Sequence, residues 1–214
     1  MHLLRGAAGL AALLGLAPRQ FAADSSAYVD KETGLTYASY TSDRGIIFRV
    51  AVPDTVPTSL VYDTVLQIVS PIAVGWAGLA WGGSMTYNPL AITWANGTHN
   101  VVITSRYAYG YYVPPVYPSS NYTVLKTGTH INATHWQITA KCTGCTKWGD
   151  DSTGVTTIDP KIQNTIAFAY SNTPVDTPAD AGSSFGIHDS IGHPVFDLSV
   201  AENKNFTAAV AKLA

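Results

Sequence analysis

The chain has 214 residues, of which 12 % are charged, and its 12 Lys and Arg against 14 Asp and Glu give a formal net charge of −2. That balance excludes a nucleic-acid binder, which needs a cationic surplus to displace counterions from phosphates. The length suits one well-buried domain, and no repeat, linker or low-complexity tract divides it.

Met1 to Arg5 is a short basic start, Gly6 to Leu16 is an apolar run, and Pro18 to Ala23 ends in small residues before Asp24. This is the pattern of a secretory signal peptide, whose apolar core is too short for a comfortable membrane span. Residues 1–23 are expected to be removed, leaving a mature domain of residues 24–214 with ten basic and fourteen acidic side chains. No second apolar run is long enough to cross a bilayer, so the processed chain is expected to be secreted, extracellular and soluble. Four acceptor sequons fit export: Asn96-Gly-Thr, Asn121-Tyr-Thr, Asn132-Ala-Thr and Asn205-Phe-Thr. Glycosylation there requires that these asparagines face solvent.

The mature part reads as strands. Leu35 to Thr41, Ile46 to Val52, Ser59 to Val69, Leu90 to Trp94, Val101 to Tyr107, Tyr122 to Leu125, His135 to Ala140 and Thr165 to Tyr170 are short and rich in β-branched and aromatic residues. In one of them Trp136, Ile138 and Ala140 point to one face and His135, Gln137 and Thr139 to the other. Helical periodicity is confined to Asn205 to Leu213, where Phe206, Ala209, Val210 and Leu213 share a face. The expected fold is all-β, an antiparallel immunoglobulin-like β-sandwich with a short C-terminal helix.

Met85 follows the glycine-rich stretch Gly75-Trp-Ala-Gly-Leu-Ala-Trp-Gly-Gly-Ser, and the only other methionine is the initiator. A thioether is a soft, weak metal ligand, but a methionine among apolar residues also packs cores. Cys142 and Cys145 are the only cysteines. In an exported chain their spacing reads as a small disulfide. A redox Cys-x-x-Cys would open a helix that is absent here, and zinc would need two more good ligands. Covalent c-type haem attachment would need His at position 146, which is Thr146. Of the histidines, His2 leaves with the signal peptide, and His99, His130 and His135 lie in polar surroundings. His188 and His193 differ, because they lie in the apolar, glycine-bearing loop Phe185 to Leu198.

Several motifs in order, Gly75-Trp-Ala-Gly, Gly82-Gly-Ser-Met85-Thr, Trp94, Ser105-Arg106, Gly110-Tyr111 with Pro114, Asn132-Ala-Thr-His-Trp136 and Cys142-Thr-Gly-Cys145-Thr-Lys-Trp148, carry a resemblance. The chain resembles the haem-binding cytochrome domain of fungal cellobiose dehydrogenases, a DOMON-related family, from about Tyr28 to about Phe206. The resemblance implies a non-covalent haem b held between a methionine and a histidine. Met85 matches the methionine ligand, and His188 matches the histidine ligand by its place in the last loop, with His193 as the alternative five residues on. Tyr111 is similar to the tyrosine near the haem propionates, and Cys142 and Cys145 match the family disulfide.

A Met/His iron is six-coordinate, which favours electron transfer over oxygen chemistry, and sulfur ligation favours ferrous iron and raises the potential. By resemblance the electron donor is a flavin-dependent sugar dehydrogenase and the acceptor a copper polysaccharide monooxygenase or ferric iron. No Gly-x-Gly-x-x-Gly is present, so the chain is not expected to oxidise a sugar itself. It is expected to be either free-standing or one domain of a longer product. The alternative reading is a secreted carbohydrate-binding β-sandwich, with five Trp and twelve Tyr available to stack on sugar rings. A copper monooxygenase fits poorly, because the expected mature N-terminus near Asp24 offers no histidine.

Overall fold

The structure is a computed structural model that describes residues 22–152 and 154–214. The expected signal peptide lies outside the described residues except for Ala22 and Ala23. In chain order the strands are β1 (Ser26–Val29), β2 (Thr36–Thr41), β3 (Ile47–Pro53), β4 (Thr64–Pro71), β5 (Trp76–Ala80), β6 (Pro89–Asn96), β7 (Asn100–Tyr107), β8 (Asn121–Val124) and β9 (His130–Ile131). They continue as β10 (His135–Thr143), β11 (Lys147–Asp150), β12 (Gly154–Thr157), β13 (Gln163–Thr165), β14 (Ala167–Ser171), β15 (Ser190–Gly192), β16 (Val195–Asp197) and β17 (Glu202–Asn203). Among the described residues there is one α-helix, α1 (Phe206–Ala211), which follows a 3₁₀ turn at Leu198–Ala201.

Two sheets make the sandwich. The larger has the order β1-β2-β3-β4-β10-β8, with β17 beside the end of β3 and β9 beside the start of β10. The smaller has the order β15-β14-β5-β6-β7. Their strand pairs are antiparallel, apart from the short β17–β3 pair. The order follows from the alternation in the chain. Phe48, Val50, Leu66, Ile68, Trp136 and Ile138 leave the larger sheet on its inner face and meet Ala77, Leu79, Ala91, Phe168 and Tyr170 of the smaller one. Each buried Leu, Ile or Phe contributes about 1.5–3 kcal/mol by leaving water, so this shared layer orders the two sheets. Phe48 and Phe168 stack across it with centroids 5.2 Å apart.

The expected helix forms, and Phe206, Val210 and Leu213 pack on Tyr37, Ala51 and Val65 of the larger sheet's outer face. Two expected strands differ in extent. The run from Ser59 becomes a strand only at Thr64, because Leu60 takes a left-handed conformation (φ 54°) and its N–H closes a turn on the Pro57 carbonyl. The run from Thr165 breaks at Ile166, where the chain passes from pairing with Val195 to pairing with β5. Among the described residues no helix is long and apolar enough to cross a membrane.

Candidate functional site

The outer face of the smaller sheet is apolar and holds no part of the sandwich core. Along β5, Ala77 and Leu79 point inward, so Trp76, Gly78 and Ala80 point outward. The register sets Ala80 beside Ala167 and Gly78 beside Ala169 of β14. Four small residues therefore form a low strip. Leu90, Ile92 and Trp94 of β6 wall one side of it, and Ile191 of β15 stands opposite Ala169 on the other. A Cβ on Gly78 would come within 2.7 Å of Ile92 Cδ1, so any larger residue there would have to displace the end of the Ile92 side chain. The buried indole nitrogen of Trp76 has no hydrogen-bond partner among the described residues.

Met85 stands at the Ala80 end of this strip. Beyond β5 the chain turns at Gly83, whose φ of 77° and whose close approach to Thr165 both exclude a side chain. Asn88 Nδ2 donates to the carbonyls of Ser84 and Thr86, which brace the loop from inside. From outside, the Tyr87 N–H donates to the Ala108 carbonyl at 2.8 Å and Trp148 Nε1 donates to the Tyr87 carbonyl at 3.1 Å. The Met85 side chain is half-buried and packs on the cluster of Trp76, Leu90, Ile92, Trp94 and Phe185.

His188 stands at the other end. Asp189 fixes the loop, since its N–H donates to the Tyr170 carbonyl at 2.8 Å and its carboxylate accepts from the Asn172 N–H at 2.7 Å. That backbone hydrogen bond, with others from Ser171 and Asn172, holds the Asp189 carboxyl below its ordinary range. Tyr170 pairs with Ala77, so His188 enters beside the Trp76 end of β5. Four strand steps separate the two ends, about 13 Å at the usual rise. The His188 ring is half-buried and has no hydrogen-bond partner among the described residues. Three residues before it, Phe185 packs against Trp76 with ring centroids 5.0 Å apart.

His193 sits differently. β15 carries the chain from the Trp76 end back to the Ala80 end, with Ser190 opposite Tyr170 and Gly192 opposite Phe168. The exposed His193 then places Nδ1 2.8 Å from the Gly83 carbonyl oxygen, on the same side as Met85. The fold thus puts His188 across the strip from Met85 and ties His193 to the Met85 turn.

The remaining expected residues lie further out. Tyr111 is 90 % exposed on the loop after β7, three residues beyond Ala108, which bonds the Met85 loop. Cys142 and Cys145 are disulfide-bonded and fully buried in the sandwich core. Asn121, Asn132 and Asn205 are exposed and Asn96 is half-exposed at a hairpin. His99 and His130 are exposed and His135 is half-buried. Among the described residues no three His, Cys, Asp or Glu side chains gather as a metal site. Arg106, quoted above only within a motif, turns out to be buried beside Phe185.

Comparison with known proteins identifies the fold and the family of the chain. Residues 28–208 match the family described as the cytochrome domain of cellobiose dehydrogenase. A pyrroloquinoline quinone-dependent pyranose dehydrogenase of Coprinopsis cinerea is 29 % identical over 180 residues, which are 81 % of this chain and 24 % of that protein. The chain thus spans about a quarter of the length of that curated relative. The crystal structure of the cytochrome b domain of pyranose dehydrogenase from Coprinopsis cinerea superposes with a TM-score of 0.78 at 24 % identity, covering 88 % of this chain and 95 % of that one. The cytochrome domain of Myriococcum thermophilum cellobiose dehydrogenase gives a TM-score of 0.77 at 20 % identity, covering 91 % and 98 %. With one family matched along most of its length and the same sandwich in both solved domains, the chain belongs to the family of cytochrome domains of cellobiose dehydrogenase.

Proposed function

We propose that this chain is an extracellular electron-transfer domain that binds one haem b non-covalently, with Met85 and His188 as its axial ligands. The observation that carries this reading is the placement of a thioether and an unpaired imidazole at opposite ends of a strip of small residues on an apolar sheet face. The residues fit the group. The glycine and alanines would accommodate a flat macrocycle, Leu90, Ile92 and Phe185 would line it, and the buried Trp76 nitrogen, without a partner among the described residues, would be free to donate to a polar edge of the group. When bound, haem iron supplies a one-electron couple, and a Met/His pair favours its reduced form.

The chain's own residues would then do three things. Met85 and His188 would hold the iron from both sides and would leave no open position for dioxygen. The braced loops on either side hold those ligands in place between redox states, which limits reorganisation. Leu90, Ile92, Trp94 and Phe185 keep water from the site. Tyr111, exposed three residues beyond Ala108, would be the residue to meet a propionate, as the resemblance implies. The buried disulfide and the solvent-facing sequons support an oxidising, extracellular setting.

The donor proposed is a sugar dehydrogenase, since the named relatives are a pyranose dehydrogenase and the cytochrome domain of a cellobiose dehydrogenase. The sequence resemblance favours a flavin-dependent one, and the pyranose dehydrogenase relative adds a quinone-dependent one as a second candidate. A copper polysaccharide monooxygenase or ferric iron is the acceptor proposed, the latter making the chain a ferric reductase component. An absorption spectrum of the secreted protein tests the reading: a Soret band that sharpens on reduction is expected. A protein that stays colourless after haem is added would defeat it and leave carbohydrate binding as the better account.

A further inference from the structure

From Thr64 to Leu125 the chain contains a single charged residue, Arg106. It is 2 % exposed, on β7 opposite Leu90, and so lies on the same outer face as the site. Its guanidinium is held almost wholly by carbonyl oxygens. Nη1 donates to Pro114 at 3.0 Å, Nη2 donates to Ala181 at 2.8 Å and to Ser183 at 2.9 Å, and Nε reaches Thr104 Oγ1 at 3.3 Å. Its carbon lies 5.6 Å from the centre of the Phe185 ring, within cation–π range.

These contacts join three segments. Pro114 ends the loop that carries Tyr111, and Ala181 to Ser183 precede Phe185 and His188. A planar group with donors fixed in a fork suits this task in a way a lysine does not. The charge is also poorly compensated. Arg106 makes no ion pair among the described residues. Burial draws its pKa below the ordinary arginine value, against the opposing field of the exposed Asp180, yet a guanidinium stays protonated.

We infer that Arg106 is a positioning residue that clamps the Tyr111 and His188 loops together, and that its buried charge biases a bound haem toward the reduced state. The second half rests on the haem reading above, and the first does not. A positive charge held in a low-dielectric face opposes the extra positive charge of ferric iron, so its removal should lower the reduction potential.

Two variants of the full chain separate these effects. Arg106→Gln removes charge and fork, and Arg106→Lys keeps the charge and loses the fork. Hydrogen exchange on the protein without haem reads the clamp. Faster exchange at residues 112–116 and 181–188 is expected in both variants, greater in Arg106→Gln, with the sandwich core unchanged. Native exchange in those segments in Arg106→Gln would overturn the clamp. Spectroelectrochemistry of the haem-loaded proteins reads the charge. Arg106→Gln should shift the oxidation equilibrium at least tenfold toward the ferric form, about 59 mV for one electron. Arg106→Lys should shift it less. Equal potentials in the wild type and Arg106→Gln would overturn the electrostatic half. If the wild type takes up no haem, the electrostatic half falls with the proposed function, and exchange still decides the clamp.

Discussion

The Nδ1 atom of His193 lies 2.8 Å from the carbonyl oxygen of Gly83, two residues before Met85. Of the two histidines in the last loop, one braces the methionine turn and the other enters at the opposite end of the strip. Replacement of each should give a different signature. His193→Ala in the haem-loaded protein should keep a six-coordinate spectrum and lose about 1 kcal/mol of stability, the usual worth of one hydrogen bond. His188→Ala should give a ferrous form that binds carbon monoxide. If the two spectra were exchanged, the assignment of His188 would fall.

Met85 is tested in the same way from the other end. Met85→Ala should open one axial position, admit carbon monoxide to the reduced protein and lower the reduction potential, because sulfur ligation favours ferrous iron. An unchanged spectrum and potential would remove Met85 from the ligand set.

Trp81 opens the Met85 turn, and its indole N–H donates to the Tyr122 hydroxyl at 2.9 Å. That hydroxyl also lies 3.5 Å from Cys145 Sγ, and burial raises its pKa far above the ordinary tyrosine value. Tyr122→Phe strands the indole donor beside the disulfide. The expected loss is about 1–3 kcal/mol in urea denaturation, the cost of an unsatisfied buried group. A midpoint equal to the wild type would show that the Trp81 donor finds another partner.

Gly83→Ala combines a left-handed φ with a Cβ only 2.9 Å from the Thr165 carbonyl oxygen. A loss above about 1 kcal/mol in thermal unfolding is expected, together with weaker haem retention, because the strain falls on the Met85 turn. Gly34→Ala, also at positive φ but with open space around it, should cost less and leave haem retention unchanged. Equal effects on haem retention would argue against the turn as its seat.

Acid stability should carry the mark of Asp30. Burial pushes its carboxyl up, but hydrogen bonds from Gln67, Thr33 and the N–H groups of Glu32 and Thr33 outweigh it and hold the pKa below 3.8. A carboxyl depressed on folding adds stability above its unfolded value, and that stability is lost as pH falls through the folded value. Urea midpoints of the wild type should therefore drop below pH 3.8 more steeply than those of Asp30→Asn. Parallel pH profiles would contradict this.

The larger sheet was legible because its strands alternate. Trp136 and Ile138 bury on one face as expected, and the aliphatic runs around Val50 and Leu66 announce themselves. The strand that matters most to the site did not. β5 reads as a glycine-rich turn, since Gly78 and its alanines have low strand propensity. Those small residues are what make the strip beneath the site, so the feature that builds it also hides it. The tie between His193 and Gly83 joins residues 110 apart and leaves no local trace. Arg106 entered the sequence reading only within a motif, although the long uncharged stretch around it is a usable sign of burial.

β15 has only three residues, yet both of its ends matter, one leading from His188 and the other to His193. Its length acts as a ruler for the gap between the two loops. Substitutions at Ser190 and Ile191 can be absorbed by packing, whereas a Cβ on Gly192 would strike the buried Phe168 ring. A single inserted or deleted residue cannot be absorbed, because it would turn every following side chain to the opposite face and carry His193 away from Gly83. Natural variants of this domain should thus vary in the identity of residues 190 and 191, keep glycine at 192 and hold the number of residues between the two histidines.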